Sequence, residues 1–315
     1  MVDYTLYRRF NQVNDHRQVL LSESYPKNSV DFLPAFRYVR QNCTAASSSL
    51  SSPSSPSCPV KHMDVEGKCA LVVDGTSGVG FAFADELLKM KAAKVVITGL
   101  DEHKGNEAAC ELNQRYGPAK ADYHQTDITS PLEVEKMFKY TKNKFETDIF
   151  FNNNEMNIGK DAITTNLVSK IQGIILASKN MKDGSIIVNH TSALGLDPNS
   201  EMIAHGAASA GFLVASMAFG KSKYFKKTQI RMTTLCSELL APMSVGGTVP
   251  FIRDGHKAYK NIQISVAKSA AYLVKYGPNN TLWLCQQNGI LSSVKLHKLN
   301  DFTVRYEPII ISNRK

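Results

Sequence analysis

The stretch CALVVDGTSGVGFAFADELLKM, residues 69–90, decides the fold. Within it, Ala70 to Val73 is a short continuous apolar run, the pattern of a strand covered on both faces. DGTSGVG, Asp74 to Gly80, follows. Val79, Phe83, Leu87 and Met90 then recur at spacings of four, four and three, which predicts a helix with one apolar face. A strand, a glycine loop and a helix in that order let the backbone turn tightly and approach a phosphate, whose charge the helix N-terminus meets. Gly75, Ser77, Gly78, Val79 and Gly80 are the candidate residues for that contact, with Asp74 at the loop entrance. Glycines also serve ordinary tight turns; their place between a buried strand and an amphipathic helix favours the nucleotide loop.

Downstream, strand and helix signals alternate. Val95 to Ile97, the stretch around Tyr123, and Ile149 to Phe151 read as further strands, with helical patterns between them. A helix around Asn166, the run Ser185 to Val188, an alanine-rich helix from about His205, the alternation Ile230, Met232, Thr234, and Thr281 to Cys285 complete the series. This predicts an α/β chain with a doubly wound, seven-stranded parallel sheet of Rossmann type, whose ligands sit at the C-terminal strand ends. An acid about 20 residues past the loop would hold a ribose. Asp101 lies 21 residues beyond Gly80, but a solvated start to the helix in LDEHKG explains it equally well.

Composition sets the bounds. The chain has 315 residues, 43% hydrophobic and 21% charged, enough to bury a sizeable core. Lys and Arg number 37 against 28 Asp and Glu, and the formal charge of +9 is not gathered into long basic runs, so no nucleic-acid partner is expected. Six scattered cysteines without a CxxC or CxxH pair suggest neither zinc nor disulfides, and a reducing compartment. No apolar run approaches the ~18 residues of a membrane span, the N-terminus has no apolar signal core, and Asp3, Asp15, Glu23 and Asp31 are acids that a mitochondrial presequence avoids. The expectation is a cytoplasmic protein. Residues 44–62 open on a Ser/Pro-rich run that cannot bury surface, which divides the chain into an irregular extension (1–43), a linker (44–62), a Rossmann domain (63–302) and a tail (303–315). Asn42, Asn189 and Asn279 head glycosylation-type triplets of little meaning without secretion, and His256 and His297 are isolated, so no metal site is expected.

GKCALVVDGTSGVG, the acid in QTDIT, DIFFNNN, TTNLV, GSIIVNHTSALGL and GPNNTLWLCQQNG stand in an order and spacing that resembles the short-chain dehydrogenase/reductase family, from about Glu66 to Phe302. The likeness is strongest to its 15-hydroxyprostaglandin dehydrogenase-like and insect alcohol dehydrogenase-like branch. The resemblance implies NAD or NADP as cofactor, hydride exchange at an alcohol or carbonyl, and a homodimer formed by the helices flanking Asn166 and His205. It also implies that Asn166 and Ser192 occupy two positions of the catalytic set. At the other two, the family's Tyr and Lys are His205 and Ser209. Asp127 matches the family's adenine-contacting acid, with Ile128 and Asn153 beside the cofactor.

Departures gather at this implied cleft. Asp74 replaces the first loop glycine, and the family's Asn-Asn-Ala-Gly becomes Asn152, Asn153, Asn154, Glu155. Gly99 and Leu100 stand where an acid would select NAD or a following Arg NADP, and Ser237, Glu238 replace a Pro-Gly pair. In the family the Tyr takes the alcohol proton, the Lys lowers its pKa and holds the ribose, and the Ser orients the substrate oxygen. An imidazole at 205 suits proton transfer near neutral pH but is shorter than a phenol. Ser209 carries no charge, and Lys221, Lys223 and Tyr224 lie at least three helical turns further on. Losing positioned acid–base catalysis costs about 10²- to 10⁴-fold. The expectation is therefore a catalytically impaired relative with partial nucleotide- or ligand-binding capacity. Two alternatives stand beside it: an active oxidoreductase using His205, and a non-catalytic dimerising partner protein. Bland readings stand there too, with His205 as a surface residue at a helix start and Ser192 and Asn166 as structural hydrogen bonders. Substrate choice is expected in the segment Leu239 to Lys260.

Overall fold

Alternate residues of the first strand point into two different cores, and the rest of the chain is arranged around that division. The computed structural model describes residues 63–154, 161–238 and 257–295, which lie in the second of two compact units, Pro56–Lys315. The extension, the linker, Cys43, Cys58, Glu155, residues 239–256 with His256, residues 296–302 with His297, and the tail lie outside the described residues. The elements run β1 (Cys69–Val72), α1 (Gly78–Lys89), β2 (Lys94–Gly99), α2 (Glu102–Tyr116), β3 (Ala121–Gln125), α3 (Pro131–Lys144) and β4 (Ile149–Asn152). Then come α4 (Ser169–Asn180), β5 (Ile186–Ser192), α5 (Ile203–Phe219), α6 (Ser222–Thr228), β6 (Arg231–Ser237), α7 (Lys257–Tyr276), β7 (Thr281–Cys285) and β8 (Leu291–Val294).

Ala70 and Val72 of β1 join Val95, Ile97 and Phe151 beneath α1, α2 and α7, with Phe83, Leu87, Leu112 and Val266 packed on them. Leu71 and Val73 face the other way, with Val96 and Phe150, against Met137, Ile174 and Phe212 of α3, α4 and α5. The sheet order is β3-β2-β1-β4-β5-β6-β7-β8. Every pairing through β7 is parallel, and the order reverses at β1 and β4, where such sheets open a crevice at their C-terminal ends.

The sheet has one strand more than the sequence suggests. β8 pairs antiparallel with β7, Cys285 opposite Leu291, through a turn in which Gly289 takes φ +81° and Gln286 N–H donates to the Ile290 carbonyl at 3.0 Å. LSSV at a sheet edge has no continuous apolar run, so it carries none of the signal of a central strand. Asp101 serves its helix: exposed, it caps α2 by accepting from Lys104 N–H at 3.1 Å, and that bond lowers its pKa.

Arg231 opens β6 as a buried cation. Its guanidinium donates to the Val274 carbonyl at 2.8 Å and to the Gly277 carbonyl, at the C-terminus of α7, where helix carbonyls lack partners and a positive charge is favoured. Arg231→Met removes both bonds and strands two buried acceptors, an expected loss of about 2–4 kcal/mol in urea unfolding, partly recovered by Arg231→Lys.

Candidate active site

The loop between β1 and α1 is shaped by two close approaches. A Cβ on Gly75 would lie 2.8 Å from the Ile97 Cβ, and one on Gly80 would lie 2.1 Å from the Asp74 carbonyl oxygen. Gly78 takes φ +58°, the left-handed region that glycine tolerates. Ser77 is exposed at the N-cap position of α1 with its side chain making no capping bond, so among the described residues the first N–H groups of α1 have no side-chain acceptor. Asp74 also adopts a left-handed backbone, φ +51°.

Beside this loop is a cavity of about 540 Å³. Its wall brings together Asp74, Gly99, Leu100, Asp127, Ile128 and Asn154 from the ends of four successive parallel strands, with Asp161 and Thr165 from the other side. Asp127 is oriented from below: its carboxylate accepts from Thr129 N–H at 2.8 Å and Thr129 Oγ1 at 2.7 Å, while its own N–H donates to Glu133 Oε2 at 2.7 Å. Burial pushes the Asp74 carboxyl up to about 6, and the Lys170 ammonium opposes that rise. Asn153 does not line the cavity. Its amide donates to the carbonyls of Val73 (3.2 Å) and Asp74 (3.4 Å), tying the end of β4 to the loop. Val79 turns its side chain into the core, and the loop glycines border the cavity without lining it.

The four catalytic-set positions meet where β5, α5 and the start of α4 converge. Asn166 sits in a single π-helical turn, Thr164–Val168, that runs into α4; such turns are frequent at functional sites. Its Nδ2 lies 3.1 Å from His205 Nδ1, which as acceptor leaves the imidazole proton on Nε2. His205 is only 4% exposed, so the surface reading of that residue is wrong. It lies in the first turn of α5, on the side of that turn that faces inward with Gly206, while Ile203 on the same turn is exposed. Ser192 is buried at the end of β5, and its Oγ accepts from Leu194 N–H at 3.2 Å, capping a short turn at Ala193–Gly195. Ser209 is 0% exposed, and its hydroxyl has no hydrogen-bond partner among the described residues.

A buried polar layer under these residues carries three side chains whose part the sequence does not reveal. His190, in the polar C-terminal half of the buried strand β5, spans from Asn153 Oδ1 (2.7 Å) to Ser237 Oγ (2.8 Å) and stacks on Phe151. Lys170 is 1% exposed; its Nζ donates to the His190 carbonyl at 2.8 Å and lies 4.9 Å over the Phe212 ring. The available signal for Lys170 is a charged residue four positions after Asn166, on the same helical face. Ser237 thus holds an imidazole, and the neighbouring Glu238 accepts from Gln287 N–H at 3.3 Å in the β7–β8 turn.

The model of the short chain dehydrogenase family matches residues 68–241, more than half of the chain. Human 15-hydroxyprostaglandin dehydrogenase [NAD(+)] is 28% identical over 183 residues, covering 55% of this chain and 68% of its own. Alcohol dehydrogenase 1 of Ceratitis cosyra is 28% identical over 188 residues, covering 56% and 72%. Among solved structures, a dehydrogenase/reductase from Sinorhizobium meliloti superposes with a TM-score of 0.59 at 17% identity, over 72% of this chain and 97% of that one, a likeness of fold. The strand order, the glycine loop and these matches agree: the chain belongs to the short chain dehydrogenase family.

Proposed function

We propose that this chain is a catalytically impaired short-chain dehydrogenase/reductase-like protein that keeps a cofactor-type cleft and binds a nicotinamide dinucleotide weakly. The observation that carries this reading is the pair on α5: Ser209 is uncharged and sealed from solvent, and His205 has its Nδ1 engaged by Asn166. A buried serine supplies neither the charge that would tune a base nor a reach to the ribose. With Ser192 capping its own turn, the residues present orient one another more than they address a substrate.

The cleft suits a dinucleotide in shape. The open N-terminus of α1 can take a diphosphate, and Asp127 with the cavity can take an adenosine. Asp74 opposes it in charge. Of the two nucleotides NAD is favoured by the printed names of the matched prostaglandin dehydrogenases, although neither Gly99 nor Leu100 selects it. When bound, the nicotinamide ring gives or takes a hydride; the ligand that would meet it is a small alcohol or carbonyl. The same reading includes a domain at 63–302 behind an extension and linker, a cytoplasmic location and a homodimer. No helix among the described residues is long and apolar enough to cross a membrane. Dimerisation is favoured by apolar side chains exposed on and beside α4 and α5, Val168 at 52% and Val214 at 68%.

Titration with NADH and NADPH, followed by nicotinamide fluorescence and energy transfer from the single Trp283, tests the binding claim. Saturable binding weaker than micromolar at pH 8 is expected. No binding at millimolar cofactor would remove the nucleotide and leave the partner-protein reading.

A further inference from the structure

The short helix that leads from α5 into β6 lies in the run KSKYFKK, residues 221–227. Lys223, Lys226 and Lys227 recur at spacings of three and four, so α6 presents them on one face, with Lys221 at its N-cap. All four lysines are exposed, as is Tyr224 at 44%, whose ring meets Phe219 edge-on at 5.0 Å. Two bonds fix the ends of this segment to the sheet. The Gly220 carbonyl accepts from Asn279 Nδ2 at 2.9 Å, and the Gln229 carbonyl accepts from Gly184 N–H at 3.2 Å. Elsewhere at this end of the sheet the lysines are neutralised: Lys68, Lys94, Lys144 and Lys182 each stand 2.8–3.7 Å from a carboxylate oxygen of Asp122 or Asp148. Those of the 221–227 run are not. The chain has no Asp or Glu from Met202 to Ser237, and among the described residues none of the four lysines forms an ion pair, Asp183 beside the Gly184 contact included. An uncompensated cluster of this kind holds a positive potential that an anionic surface lowers.

We propose that α6 docks this protein on an anionic phospholipid surface, with the four lysines among the headgroups and Tyr224 at their edge. The inference goes beyond the reading of the cleft and does not depend on it. Charge complementarity carries it, and the residue types choose the occupant. All four cations are lysines, compact hydrated charges without arginine's planar fork, which suit a diffuse layer of lipid phosphates more than a shaped phosphate site or a base edge. A half-exposed tyrosine seated against Phe219 has the apolar body and polar tip favoured at headgroup level. The place in the fold agrees. α6 ends where β6 begins, at the N-terminal strand ends, whereas the cavity lies at the C-terminal ends, so the docked protein keeps its cleft turned away from the lipid.

The probes are vesicles of phosphatidylcholine alone and of phosphatidylcholine mixed with phosphatidylserine, and binding of the full chain is measured by co-sedimentation. A lysine near an anionic surface strengthens binding by roughly five-fold, so four of them imply a preference of about 10²- to 10³-fold for the mixed vesicles. That preference is expected at about 0.1 M salt and to vanish near 1 M. The combined variant Lys223→Glu, Lys226→Glu, Lys227→Glu is expected to abolish it while leaving the thermal unfolding midpoint in place, since all three positions are exposed. The control is Lys89→Glu, Lys104→Glu, Lys139→Glu, which changes the net charge equally at exposed sites on α1, α2 and α3 and is expected to bind as the wild type does. Should the α6 reversal fail to fold, Lys223→Gln, Lys226→Gln, Lys227→Gln replaces it, with an expected loss of about 10²-fold. A wild type with no preference for the mixed vesicles overturns the proposal, as does an α6 variant that keeps the preference. Equal losses in the α6 variant and the control assign the binding to net charge and overturn it too. Binding to duplex DNA through α6 without binding to vesicles overturns it in favour of a nucleic-acid partner.

Discussion

Alanine at Gly80 is expected to destabilise the fold by about 3 kcal/mol or more and to remove nucleotide binding with it, since forced overpacking against fixed atoms has costs of this order. The added methyl would lie 2.1 Å from the Asp74 carbonyl oxygen and 2.9 Å from the Gly75 Cα, both backbone atoms of the loop. Neither can move without displacing β1 from β2, because Gly75 N–H is bonded to the Thr98 carbonyl at 2.8 Å. Gly206→Ala is the control. Its methyl would meet only the Leu194 carbonyl oxygen at an ordinary 3.4 Å, and alanine favours the helix interior by up to about 1 kcal/mol. Urea unfolding of the two variants should show a large loss for Gly80 and none for Gly206. Equal midpoints would mean that α1 does not dock against the loop as closely as described.

Asp74→Gly is expected to tighten NADH by about 10²- to 10³-fold at pH 8, because it deletes a carboxylate beside the diphosphate position. It should also stabilise the protein. Glycine accepts the left-handed backbone at 74 without strain, and the folded state no longer holds a partly buried charge. The second gain depends on pH. The carboxyl is pushed up to about 6 from an ordinary value of 3.8, so the folded state binds its proton more tightly than the unfolded chain. The wild type's stability from this group is complete below 3.8 and is lost as pH rises through about 6. The advantage of Asp74→Gly in thermal unfolding should therefore be larger at pH 8 than at pH 4. An advantage of the same size at both would assign it to the backbone alone.

The central sheet was legible because parallel strands covered on both faces are written as short apolar runs. Ala70 to Val73, Val95 to Ile97 and Ile149 to Phe151 all fall in or directly beside strands of the structure. β3 was placed only by Tyr123, since ADYHQ lies at the sheet edge and is half-buried. β8 was missed for the same reason. In the site, Asp74, Asp127 and Ile128 read from the sequence as strand-end residues and they line one cavity, because loop glycines and strand ends are local features. The burial of His205 was not. It depends on Asn166, 39 residues earlier, and on a π turn that nothing in TTNLV announces. Lys170, His190 and Ser237 form a layer whose partners are 20 to 47 residues apart, joined across strands and helices that only the fold brings together. Sequence patterns of period two or 3.6 report which face a residue takes, not which distant polar group it meets there.

Hydride transfer is the most direct measurement of the account. The purified full chain, saturated with NADH or NADPH, is mixed with a panel of small carbonyl compounds, and oxidation of the cofactor is followed by absorbance beside the His205→Ala variant. The account predicts turnover at least about 10²-fold below the usual 1–10³ s⁻¹ of enzymes, and the same rate in both proteins. Turnover in the ordinary range that His205→Ala abolishes would contradict it and make this chain a working dehydrogenase with an imidazole in place of the phenol.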